Sequence, residues 1–91
     1  VTVEAGVTWA ALAEALAAKG FRTPFKGPFS GYHATIGGSM SQNAISHGSG
    51  AHGISAESAL SFDVLLADGS LLQTGSAAQT GDPFVRHAGP D

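Results

Sequence analysis

The stretch Val1-Thr2-Val3-Glu4-Ala5-Gly6-Val7-Thr8-Trp9-Ala10-Ala11-Leu12-Ala13-Glu14-Ala15-Leu16-Ala17-Ala18-Lys19-Gly20 decides the fold class. Val1 to Ala5 alternates apolar and polar residues, the period of a half-buried strand. Gly6 turns the chain. Thr8 is a favourable N-cap, and Val7 and Leu12 stand at the N′ and N4 positions of a hydrophobic staple. Trp9, Leu12, Ala13 and Leu16 then recur on one helical face. Lys19 suits the negative end of the helix dipole, and Gly20 is placed to cap it. The pattern predicts a strand over 1–5 and a helix over 8–19.

Outward from that helix the signals change. Phe21-Arg22-Thr23 reads as short and extended before Pro24. Residues 24–35 break every period with Pro24, Gly27, Pro28 and Gly31. Thr35-Ile36-Gly37-Gly38-Ser39-Met40-Ser41-Gln42-Asn43-Ala44 predicts a short helix with two glycines in its first turn. Residues 46–58 form a second irregular stretch. Leu60, Phe62, Val64 and Leu66 then mark one apolar strand face, Asp68-Gly69 signals a hairpin, and Ser70 to Thr74 returns as its partner. Residues 76–91 read as loop. Together these elements predict an α+β domain, a helix packed on a mostly antiparallel sheet.

Composition narrows the function. The 91 residues are 43% hydrophobic and only 12% charged, with net charge −3. Globular domains usually carry about 25% charged residues, so this surface expects to be covered by something else. Val1–Glu4 reads as a strand already under way and Gly89-Pro90-Asp91 stops within a turn, so we expect an internal piece of a larger protein. Four Lys and Arg leave no basic patch for nucleic acid. No apolar run approaches the roughly 18–20 residues of a membrane span. Zero Cys removes disulfides and thiolate sites, which fits a reducing, cytoplasmic setting. Thirteen glycines and ten serines, most of them between 27 and 58, point to the backbone as the working surface there.

Several motifs compete for that surface. Gly48-Ser49-Gly50-Ala51-His52-Gly53 matches G-x-G-x-x-G, but polar Ser46 and His47 precede it in place of a strand. Twenty positions past the last glycine, Gly53, stands Gln73 and no acidic residue, so the Rossmann reading is disfavoured. His33, His47 and His52 have no ligand spacing and no carboxylate beside them, so no metal site is expected. Ser39, Ser41 and Ser49 lack the G-x-S-x-G elbow of a hydrolase. The Thr35-Ile36-Gly37-Gly38 corner is richer: a Gly/Pro loop leads in, a hydroxyl residue caps, and two glycines open the turn. Bare N–H groups there would suit a phosphate or another electron-rich group. A tight structural turn explains the same residues equally well.

In this order, the motifs resemble the FAD-binding domain of the vanillyl-alcohol-oxidase type, also called PCMH-type. The likeness lies in Val3-Glu4-Ala5-Gly6-Val7-Thr8-Trp9, Pro28-Phe29-Ser30, Ala34-Thr35-Ile36-Gly37-Gly38, Gln42-Asn43-Ala44, His52-Gly53 and Phe62-Asp63-Val64-Leu65-Leu66-Ala67-Asp68-Gly69. Gly89-Pro90-Asp91 looks like the start of a further family segment. The resemblance implies that residues 1–91 are the central and C-terminal part of one incomplete FAD-binding domain. Its pyrophosphate loop would lie upstream and its substrate domain downstream.

The resemblance also implies FAD as cofactor, with Pro28, Ser30, Thr35, Gly37, Gly38, Asn43, Ala44 and Gly53 binding it. Gly37 and Gly38 would keep side chains away from the cofactor. Ser30 and Thr35 would give hydrogen bonds, and Asn43 would face the flavin from the following helix. No residue here is assigned to catalysis. The implied protein is an FAD-linked oxidase or dehydrogenase of the glycolate or D-lactate type, and the piece alone is expected to be inactive. Its partners would be a small-molecule substrate and the rest of its own polypeptide. Gly27-Pro28 and Ile45-Ser46 depart from the hydroxy-acid pattern, and His47-Gly48-Ser49-Gly50 resembles the sugar-lactone and alditol branch. A flavin reductase of cell-wall precursor synthesis and a non-redox module keeping the fold are the other readings.

Overall fold

The computed structural model describes residues 1–23, 31–45 and 47–75. Three helices come first: α1 (Trp9–Ala17), α2 (Ile36–Ser41) and the single turn α3 (Ser49–His52). A 3-10 turn (Ser55–Ser58) follows, then strands β1 (Asp63–Leu65) and β2 (Leu71–Gln73). The class is α+β, as expected from the sequence.

Helix α1 starts where its cap dictates. Thr8 is extended, and its hydroxyl oxygen accepts from the Ala11 N–H at 3.3 Å. The helix ends on a left-handed glycine: Gly20 has φ 77, its N–H reaches the Ala17 carbonyl, and the Phe21 N–H reaches that of Leu16. This double bond pattern satisfies the last carbonyls and needs a residue without Cβ at the turn. Trp9 and Leu12 are buried and Leu16 is half-buried, while Ala13 is exposed, so the apolar stripe is narrower than the spacing predicts.

The core joins Trp9 and Leu12 to Ile36, with Val3, Val7, Leu16, Ala34 and Met40 packed around them. Val7 and Leu12 thus meet in one cluster, as the staple requires. The covered face of α1 meets α2 and the segments leading into both helices.

The strand expected over 1–5 does not form. Among the described residues nothing pairs with Val1–Glu4 along a ladder. An extended segment becomes a strand only when a neighbour takes its N–H and C=O groups. What remains of strand pairing here is one antiparallel bridge, Thr8 with Thr35.

The second strand is shorter than its apolar pattern. β1 pairs antiparallel with β2 in the register Asp63–Gln73, Val64–Leu72 and Leu65–Leu71. At the open end the Thr74 N–H donates to the Phe62 carbonyl, while the Phe62 N–H turns to the Thr74 hydroxyl. At the closed end the Leu66 N–H donates to the Ser70 carbonyl, and Ala67-Asp68-Gly69 makes the connection. Only Gly69 there has positive φ (85), whereas a two-residue type I′ turn needs two such residues. Asp68 holds the bend by accepting from both the N–H and the hydroxyl of Ser70, at 2.9 and 2.6 Å. The irregular 46–58 stretch contains α3, bracketed by glycines, and the 3-10 turn, both too short to show a period.

Candidate functional site

The Thr35–Gly38 corner is built by two helix starts that face each other. Thr8 and Thr35 are both extended N-caps, and each hydroxyl accepts from an N–H in its own first turn. Beside their bridge, the Trp9 N–H donates to the Ala34 carbonyl at 3.2 Å and the Ile36 N–H to the Val7 carbonyl at 2.8 Å. The Ala10 N–H reaches the Gly31 carbonyl and the Gly37 N–H reaches that of Ala5. The Gly38 N–H goes to the Thr35 hydroxyl at 3.1 Å, and the Ser39 N–H to the Thr35 carbonyl at 3.1 Å.

All four first-turn donors of α2 are therefore engaged by the chain itself. The expectation of bare N–H groups is corrected: an anion could use them only by displacing these bonds. Gly37 has a local reason as well. A Cβ on it would lie 2.6 Å from the Ala5 Cβ and 3.0 Å from the Ala5 carbonyl oxygen, so the chain crossing forbids a side chain. Gly38 differs. It is exposed, and its Cβ would approach only the Thr35 hydroxyl, at 3.0 Å.

At the other end of α2 the chain turns sharply. Asn43 is the one non-glycine residue with positive φ (48) among those described. Asn tolerates this left-handed region better than most residues. It lies beyond the helix end, not on the helix, because α2 stops at Ser41. The Asn43 N–H donates to the Met40 carbonyl and the Ala44 N–H to that of Ser39. The Asn43 side-chain oxygen accepts from the Ala56 N–H at 3.2 Å. Its NH₂ has no acceptor among the described residues. Ser55, 1% exposed, donates its hydroxyl to the Ala44 carbonyl at 2.5 Å, and its N–H reaches the same oxygen at 3.3 Å.

Gly48 and Gly53 bracket α3 with φ 98 and 81. The Glu57 side chain occupies the space that a Cβ on Gly53 would need. The letter match to G-x-G-x-x-G thus marks the two ends of one helical turn. Ser39 is 3% exposed and accepts from the Trp9 indole N–H at 2.7 Å, which makes it a core residue. Among the described residues no group of three or more His, Asp or Glu could hold a metal. No helix of the described residues is long and apolar enough to cross a membrane.

Of the eight expected cofactor residues, Pro28 and Ser30 lie outside the described residues. Thr35, Gly37 and Gly38 form the start of α2, and Asn43 and Ala44 lie just past its end. Gly53 stands two residues before Ser55, which bonds back to Ala44. The sequence singles out Thr8 as the α1 cap and within the opening likeness but not for the site, and it does not single out the buried Ser55. Thr8 carries a signal only as a cap, and Ser55 sits in a stretch without period.

The architecture is that of a small α+β domain. Residues 1–75 match the family model described as FAD binding domain. The chain belongs to that family, an FAD-binding domain of the PCMH type in flavin-dependent oxidoreductases, and FAD is its cofactor. No curated protein and no solved structure matches the chain. The residues fit the group, since Asn43 is half-buried and holds an amide NH₂ without a described partner. An electron-rich ring or carbonyl suits such a donor.

Proposed function

We propose that this domain serves an FAD-linked oxidase or dehydrogenase acting on a 2-hydroxy acid or related alcohol, of the glycolate or D-lactate type. The observation that carries the reading is the family match over a chain in which Thr35 and Gly38 open one short helix and Asn43 and Ala44 follow its end. Bound FAD would supply an acceptor for the hydride that the alcohol carbon loses, the hydroxyl proton going to a base and leaving a carbonyl. The chain's own part is to hold that cofactor.

In this reading Gly38 offers exposed backbone and Thr35 its hydroxyl hydrogen. Asn43 donates through its NH₂, and Ala44 and Gly53 leave room. Pro28 and Ser30 belong to the same set by resemblance, and Gly37 supports it by letting the chain cross at Ala5. The pyrophosphate loop and the substrate-contacting base belong to other parts of the complete polypeptide, so residues 1–91 alone do not turn over. A cytoplasmic setting is part of the proposal. His47-Gly48-Ser49-Gly50 favours a second substrate class, sugar lactones or alditols.

The test is a visible absorbance spectrum of the complete protein, before and after acid precipitation. A flavin spectrum bleached anaerobically by D-lactate or glycolate supports the proposal, whereas bleaching by an alditol or sugar lactone alone moves it to the second class. A colourless protein that takes up no added FAD overturns both. Replacing exposed Gly38 by Leu is expected to empty the complete protein of flavin.

A further inference from the structure

We infer that Ser55 is a positioning residue for the cofactor site, and that with the Ala56 N–H it makes Asn43 a one-way hydrogen-bond donor. The inference rests on the reading that Asn43 faces FAD. Three bonds carry it. The Ser55 hydroxyl and N–H both end on the Ala44 carbonyl, at 2.5 and 3.3 Å, so this oxygen is held from two sides. The Ala56 N–H ends on the Asn43 side-chain oxygen at 3.2 Å. Ser55 is the most deeply buried side chain described, at 1% exposure, and a buried hydroxyl that lost its acceptor would be costly.

The consequence is chemical. An amide has one accepting and one donating end. With its oxygen committed to Ala56, Asn43 has only NH₂ left for a ligand. The backbone of Asn43 is also pinned, with φ 48 and its N–H on Met40, so the side chain starts from a fixed direction. The 3-10 turn thereby selects what may sit against Asn43: an acceptor, such as a carbonyl oxygen or unprotonated ring nitrogen of a flavin. A donor fixed at a flavin stabilises negative charge on it when reduced, which raises its potential.

The test uses the complete flavoprotein and three variants. Asn43→Asp keeps an oxygen for Ala56 and replaces the donor by an acceptor. It is expected to weaken FAD binding to the apoprotein at least tenfold, by fluorescence titration, and to lower the flavin midpoint potential. The melting temperature of the apoprotein should stay unchanged. Ser55→Ala should weaken FAD binding about fivefold, and Ser55→Thr, which keeps the hydroxyl, should restore it.

Wild-type affinity and potential in Asn43→Asp would overturn the inference. So would equal FAD affinity in Ser55→Ala and wild type, or Ser55→Ala and Ser55→Thr that bind FAD equally weakly. Gly38→Leu separates the two levels. If it loses flavin while Asn43→Asp does not, the site reading stands and the inference fails. If Gly38→Leu stays fully flavinated, the site reading itself fails.

Discussion

Between Thr8 and Ser41, hydrogen bonds join parts of the chain far apart in sequence: the Trp9 indole reaches Ser39, and the two threonine caps lie side by side. Between Phe62 and Thr74 every described bond stays within the hairpin, down to the Gln73 amide on Asp63. The buried apolar side chains lie in the first region, although Phe21 and Tyr32 there are exposed as well. Trp9 is 6% exposed, whereas Leu65 and Leu71 of the hairpin are 73% and 63% exposed. The first region is held by tertiary burial and the second by its own turn and ladder. A two-stranded hairpin is marginal alone, so the second region is expected to gain its burial from other parts of the complete protein.

Trp9→Ala should break that contrast most severely. Removing a buried Trp side chain costs about 3–5 kcal/mol, a large share of a margin of about 5–15 kcal/mol. Denaturant titration of the complete protein would read it, and a loss below about 1 kcal/mol would show that Trp9 is not a core residue there.

Gly37→Ala tests the chain crossing at Ala5. With a Cβ at 2.6 Å from another Cβ, overpacking should cost about 1–3 kcal/mol. Gly50→Ala, in open space within α3, should stay within about 0.5 kcal/mol of wild type. Equal melting temperatures for the two variants would remove the steric argument.

Ser39→Ala leaves the indole N–H without this acceptor and should cost about 1–3 kcal/mol. Because it deletes no packing of comparable size, its effect should fall below that of Trp9→Ala. The double variant should lose less than the sum, since one bond is counted in both.

Leu65→Thr sharpens the comparison from the other side. The hairpin face is expected to be covered in the complete protein, so a change of no more than about 0.5 kcal/mol would overturn that expectation. A loss above about 2 kcal/mol would mean that a neighbouring segment covers it.

The smallest effect concerns pH. The Ser70 hydroxyl, and then the Ser70 N–H, stabilise the Asp68 carboxylate and lower its pKa. The folded carboxyl therefore titrates below the unfolded one. Its contribution is present above the ordinary carboxylate range and lost as pH falls through the lowered value. Asp68→Asn should slightly flatten the acid limb of the stability curve, and an unchanged limb would show that the bond is too exposed to matter.

The helix α1, its Thr8 cap, its Gly20 stop and the hairpin were legible in the sequence. Each depends on residues within a few positions of one another, and local chemistry does not wait for the rest of the fold. The Thr35 cap and the short helix after it were legible for the same reason. Their purpose was open, because a glycine pair suits an anion and a chain crossing equally. Only the approach of Val7 and Ala5 to Ile36 and Gly37 showed that the chain itself fills donors that sequence spacing leaves bare, and that Gly37 serves the crossing. The Ser55–Ala44 and Ala56–Asn43 bonds, eleven and thirteen residues apart, were likewise decided by tertiary structure. No period marks such pairs, since their partners meet only after α2 and the 3-10 turn come together. The strand pattern of Val1–Ala5 shows the opposite limit: alternation makes a segment ready to pair, but a ladder also needs a neighbour.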